Sequence, residues 1–136
     1  MFIRITQPAA GGPAFMSDSI KLSSVAIECP DPGQLAAFYA EITGGQVTYV
    51  DHEWATVTGP GGRIDFQVAP GYAPPTWPDA GSSMQMHLDF HVDDLQAAGA
   101  RVLAAGARKH DHQPSPDDFC VYLDPVGHPF CLSLSD

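Results

Sequence analysis

His87-Leu88-Asp89-Phe90-His91-Val92-Asp93-Asp94 decides how this chain folds, because an earlier stretch repeats its pattern. At an offset of 63 stands Ser24-Val25-Ala26-Ile27-Glu28-Cys29-Pro30-Asp31. Both are strand-like runs that end in a helix-start signal, Asp31-Pro32 in the first and Asp93-Asp94 in the second. Helical stretches follow over 34–43 and 95–105, stopped by Gly44-Gly45 and by Gly106. Leu35, Phe38, Tyr39 and Ile42 give the first of these an apolar stripe at helical spacing.

Three short strands are expected after each helix: 46–50, 53–58 and 63–68, then 107–110, 119–123 and 129–134. Gly59-Pro60-Gly61-Gly62 and Asp124-Pro125-Val126-Gly127 have turn composition. At an offset of 64, Gln67 falls beside Cys131. The reading is α+β: two tandem βαβββ modules forming a curved mixed sheet around a shared cavity, helices outside. The first module covers about 20–69 and the second about 85–136. Residues 70–84, too rich in proline for a strand, link them within a single domain over 16–136. Tyr72 and Trp77 suggest that the linker lies across the surface. Residues 1–15 lack any period and are expected to form a disordered extension ahead of a start at Met16.

The chain has 136 residues and a formal charge of −10, from 16 acidic and 6 basic side chains. Phosphate backbones and anionic membranes both need a Lys/Arg surface, so nucleic acid and membrane are excluded as partners. No apolar run approaches the ~20 residues of a membrane span. The start lacks the pattern of a secretory signal, and three cysteines are the wrong number for a disulfide framework. A cytoplasmic protein is the expectation.

Alternation along each strand separates two faces. Leu88, Phe90 and Val92 oppose His87, Asp89 and His91; Val25, Ile27 and Cys29 oppose Ser24, Ala26 and Glu28. Ile64, Phe66 and Val68 oppose Arg63, Asp65 and Gln67; Phe130, Leu132 and Leu134 oppose Pro129, Cys131 and Ser133. The apolar faces suit the helices. The others converge on a concavity fit for a small ligand, or simply meet water.

The run from His87 to Leu95, the ending Asp124-Pro125-Val126-Gly127-His128-Pro129-Phe130-Cys131-Leu132 and the Tyr72/Trp77 linker resemble glyoxalase-like proteins of the vicinal oxygen chelate superfamily. The resemblance covers about 20–135. It implies a small-molecule ligand, with a homodimer as the candidate assembly. Metal-dependent members take one ligand from the first strand and one from the last strand of each module. Those positions are Ser24, Gln67, His87 and Cys131, of which only His87 is a strong ligand for the usual ions. Asp89 and His91 share its face, but successive positions lie ~6.5 Å apart along a strand. No metal and no cofactor is therefore the expectation.

Two classes remain open. In an enzyme, His87 acts as acid or base while Asp89 orients it, in isomerase- or lyase-type chemistry on a small oxygenated substrate. Gln67, Ser24 and Cys131 contact the ligand in that reading. In a binding or resistance protein, as in the drug-sequestering members, Tyr72, Trp77 and Trp54 hold the ligand by stacking. His110 and His112 read as a solvated loop, and Cys29 and Cys120 as core fillers.

Overall fold

The computed structural model describes residues 19–79, 81 and 83–135. The expected extension over 1–15 and the start at Met16 lie outside the described residues. The Asp31 carboxylate accepts the Gln34 N–H at 3.2 Å, and Pro32 takes the first helical turn, where its missing N–H costs nothing. Helix α1 therefore runs over Pro32–Thr43, starting two residues before the expected 34–43, and closes at Gly44 with φ of 75°. The Asp94 carboxylate accepts the N–H groups of Gln96 and Ala97 at 2.9 and 3.0 Å. It opens helix α2, Leu95–Ala105, which ends at Gly106.

Around α1 stand β1 (Val25–Cys29), β2 (Gln46–Val50), β3 (Trp54–Gly59) and β4 (Gly62–Val68). Around α2 stand β5 (Leu88–His91), β6 (Arg108–Lys109), β7 (Phe119–Leu123) and β8 (Pro129–Ser133). Strand β6 is shorter than the 107–110 expected, because Ala107 is drawn into the core beside Val102. The strands form two four-stranded mixed sheets, one per module, ordered β1-β4-β3-β2 and β5-β8-β7-β6. Each has one parallel pair, β1 with β4 and β5 with β8, at the edge where its module begins.

Both helices and the apolar faces of both halves share one core. Phe38 and Tyr39 of α1 make this so. Tyr39 stacks on Phe66 of its own module at 5.6 Å between ring centroids, while Phe38 and Tyr39 meet Phe130 of the other at 6.0 and 6.1 Å. Beneath these rings lies Asp124, only 2% exposed. Its carboxylate accepts the Tyr39 hydroxyl at 2.7 Å and the N–H groups of Val126 and His128 at 3.0 Å each. One carboxylate thus shapes the turn before β8 and ties it to the opposite helix.

The linker lies against the second module. The Tyr72 hydroxyl donates to the Val126 carbonyl at 2.9 Å, and its ring lies 5.3 Å from that of His128. No helix among the described residues is long and apolar enough to cross a membrane.

Candidate functional site

Residue 87 directly precedes β5, Asp89 follows on the same face, and β8 runs parallel to β5 with Cys131 paired to Asp89. Strand spacing separates the backbone positions of His87 and Asp89, yet their side chains lean together. His87 Nε2 lies 3.3 Å from Asp89 Oδ1. The spacing argument against convergence therefore fails here, and the third group comes from the neighbouring strand instead of from His91. One ligand-type atom from each of His87, Asp89 and Cys131 lies within 4.8 Å of the other two.

Cys131 is buried, while His87 and Asp89 reach solvent. Burial first, then the charge of Asp89 and a hydrogen bond to it, push the Cys131 thiol up to about 12. At neutral pH it is a protonated donor to Asp89, not a nucleophile.

These three residues floor a cleft of about 680 Å³ whose apolar walls include Trp77, Met84 and Phe119. The seat of Trp77 was not legible in the sequence. His110 Nδ1 accepts the His112 N–H at 2.9 Å, so Nε2 carries the ring proton and donates it to the Trp77 carbonyl at 3.1 Å. The His110 and His112 rings lie 5.0 and 5.3 Å from the indole. His110, expected in a solvated loop, is instead half-buried under the linker. The side-chain amide of Gln113 anchors this segment, donating to His110 O and Val121 O at 2.7 and 2.8 Å.

The same face of the first module is organised differently. Asp65, 2% exposed, accepts the hydroxyls of Ser24 and Thr56 at 2.6 Å each. Arg63 grips it through Nε at 3.1 Å and Nη2 at 3.0 Å. Burial alone would push the Asp65 carboxyl up, but the bonds from Arg63, Ser24 and Thr56 outweigh it and hold the group below its ordinary value. A depressed value adds stability that is complete above the ordinary 3.8 and fades as pH falls through the folded-state value. The melting-temperature gap between the wild type and Asp65→Asn should therefore be widest near neutrality and narrow below about pH 3.8. A gap that widens on acidification would contradict this assignment.

Register explains why sequence comparison missed Asp65. Ala26 pairs with Asp65 in β1/β4, as Asp89 pairs with Cys131 in β5/β8. Asp65, not Gln67, is thus the structural counterpart of Cys131, and the offset of 64 misaligned the last strands. The hairpin supplies part of the slip: four residues separate the paired Thr58 and Arg63, and five separate Leu123 and Pro129.

Gln67 is exposed and pairs with Trp54 across the ladder, and neither residue borders the cleft at His87. Tyr72 holds the linker and does not border it either. Ser24 and Arg63 border a second cleft of about 940 Å³, where Asp89, His91 and Arg101 stand on the other module. Asp89 and His91 border both clefts.

The four positions taken from the metal-dependent pattern do not form a donor set for its usual ion. Ser24 spends its hydroxyl on Asp65, whose charge Arg63 already balances. Gln67 does not border the cleft of His87 and Cys131. What the chain does bring together is one nitrogen, one oxygen and one sulfur, all from the second module.

A family model described as a glyoxalase-like domain matches residues 24–133. No curated protein matches the chain. Among solved structures, the chain resembles a mutant of the fosfomycin resistance protein FosX from Listeria monocytogenes, complexed with Mn(II) and 1S,2S-dihydroxypropylphosphonic acid. The TM-score is 0.66 at 16% identity, over 85% of this chain and 93% of that one. A glyoxalase/bleomycin resistance protein/dioxygenase family enzyme from Burkholderia phytofirmans PsJN matches with a TM-score of 0.62 at 22% identity, over 81% and 94%. A bleomycin resistance determinant encoded on transposon Tn5 matches at 0.57 and 16%, over 86% and 99%. At these identities the structural likeness speaks for the fold.

Proposed function

We propose, from the premise that this chain belongs to the glyoxalase-like domain family, that it is a cytoplasmic enzyme of isomerase or lyase type acting on a small oxygenated substrate. The observation that carries the reading is His87 beside Asp89 at 3.3 Å in a cleft walled by Trp77.

The chemistry follows from the imidazole. With Nε2–H directed at Asp89, Nδ1 keeps its lone pair and can accept a proton. A carbon next to a carbonyl is the kind of acid it would serve. Returning the proton to a neighbouring atom isomerises the substrate, and expelling a β-oxygen after proton removal eliminates it. The Asp89 carboxylate would stabilise the imidazolium formed in between. The Cys131 thiol, bonded to Asp89, would hold that carboxylate in place. Trp77 and Phe119 would cover the apolar part of the substrate. This reading uses neither Gln67 nor Trp54 nor Tyr72 as ligand contacts.

The apolar wall of Trp77, Met84 and Phe119 favours one other reading, a non-catalytic protein that sequesters a planar small molecule. Incubating the protein with a panel of hydroxylated and carbonyl-bearing small molecules, followed by proton NMR, separates the two. Conversion of at least one compound is the expected result. Saturable binding throughout the panel without conversion would overturn the enzyme in favour of sequestration.

A further inference from the structure

We propose, resting on the cleft of the proposed function, that His110 is the positioning residue that seats Trp77 over it, and that it does so only while its ring is neutral. Trp77 is part of the apolar wall of that cleft, so the seat matters to an enzyme and to a sequestering protein alike.

The backbone of His110 is clamped. Its N–H donates to the Val121 carbonyl of β7 at 3.0 Å, and its own carbonyl accepts the Gln113 side-chain amide at 2.7 Å. Gln113 Oε1 accepts the Val121 N–H at 2.9 Å and closes the clamp on the strand. The ring therefore stands on a fixed base, between two groups that belong to no strand or helix. Nδ1 accepts the His112 N–H at 2.9 Å, and Nε2–H donates to the Trp77 carbonyl at 3.1 Å. Only the neutral ring with its proton on Nε2 makes both bonds. Both imidazoles also flank the indole, at 5.0 Å for His110 and 5.3 Å for His112.

Protonation turns Nδ1 from an acceptor into a donor. Two N–H groups would then face each other at hydrogen-bond distance, and one of them must turn away. With the His110 backbone clamped, the turn over 111–112 opens and withdraws the His112 ring from the indole. Trp77 loses its backing, and a planar ligand beneath it loses part of its cover.

Few other charges surround the ring. The linker's only charged residue is Asp79, which is exposed. From β7, Val121 borders the cleft, while Cys120 and Tyr122 alternate into the core. Lys109, Asp111 and His112 of its own segment are exposed, and His87, Asp89 and His91 stand elsewhere on the cleft. His112 is the other titratable ring against the indole, so its charging has to be separated from that of His110.

NMR of the nitrogen-15-labelled full chain at about pH 8 and about pH 5, the limits between which histidine ordinarily changes charge, makes the test without any substrate. The seat can therefore fail while the proposed chemistry stands, and the chemistry can fail while the seat stands. At the higher pH, a coupling across the N–H···N bond should join the His112 amide nitrogen to His110 Nδ1. Nuclear Overhauser contacts should join the Trp77 indole to both imidazoles. At the lower pH the coupling and the Trp77–His112 contact should disappear. In His110→Asn the side-chain oxygen can still accept the N–H two residues on, as in an Asx turn, but its amide is too short to reach the Trp77 carbonyl. The Trp77–His112 contact should then be lost at both pH values. No coupling at the higher pH, or a Trp77–His112 contact that persists at the lower, would overturn the proposal in the wild type alone. So would a His110→Asn chain that keeps the contact at the higher pH. If that contact still vanished on acidification, the charge of His112 would be the cause instead.

Discussion

Asp124→Ala is expected to lower stability by about 3–5 kcal/mol, the scale of breaking a buried, hydrogen-bonded charge network. The carboxylate is 2% exposed and accepts three hydrogen bonds, from the Tyr39 hydroxyl and from Val126 and His128 N–H. Alanine strands all three donors and opens a small void where the core joins the two modules. For a chain of this size the loss corresponds to a fall in melting temperature of roughly 10–20 °C. Tyr39→Phe should cost less, about 1–2 kcal/mol, because Asp124 retains both backbone partners. Thermal denaturation by circular dichroism measures both. Equal effects from the two variants would show that the Tyr39–Asp124 hydrogen bond alone, and not the bonds from Val126 and His128 N–H, carries the stabilisation.

His87→Gln is expected to remove turnover by about 100-fold to 10,000-fold, the range of general acid–base catalysis. Glutamine keeps polarity and size near those of imidazole but cannot shuttle a proton at neutral pH. The His87 side chain reaches solvent, so folding should be unaffected. The loss should fall on kcat, with KM changed little. Asp89→Asn should produce a smaller deficit of the same kind, since it weakens the stabilisation of the imidazolium without removing the base. A His87→Gln enzyme that kept kcat and lost only affinity, by roughly 0.5–1.5 kcal/mol, would reduce His87 to a hydrogen-bonding contact.

Much of this arrangement is written locally in the chain. Asp31-Pro32, Asp94, Gly44 and Gly106 mark both helices almost to the residue, because caps act through bonds to their immediate neighbours. Alternation correctly set His87 and Asp89 on one face and Phe90 on the other, since that period is a property of any strand. Register is different. Whether Gln67 or Asp65 answers to Cys131 depends on turn lengths and strand slippage, which no short pattern reports. The one available hint was Arg63 and Asp65 sharing a face, a pairing that alternation allowed but did not single out. The place of Trp77 depends on tertiary bonds through His110 and Gln113, so a proline-rich linker could only be read as lying somewhere on the surface. Core membership was more accessible: Cys29 and Cys120 are both buried, as small apolar side chains in strands tend to be.

In the proposed function, small-molecule chemistry resides in the second module, at His87, and not at the polar face of the first. Mapping a compound converted by the protein, through changes in backbone amide resonances of the full chain, tests this most directly. Perturbations should concentrate at Trp77, Met84, His87, Asp89 and Cys131, with Ser24, Thr56 and Asp65 unmoved. Perturbations centred on Ser24, Arg63 and Asp65, with Trp77 and Cys131 silent, would contradict it.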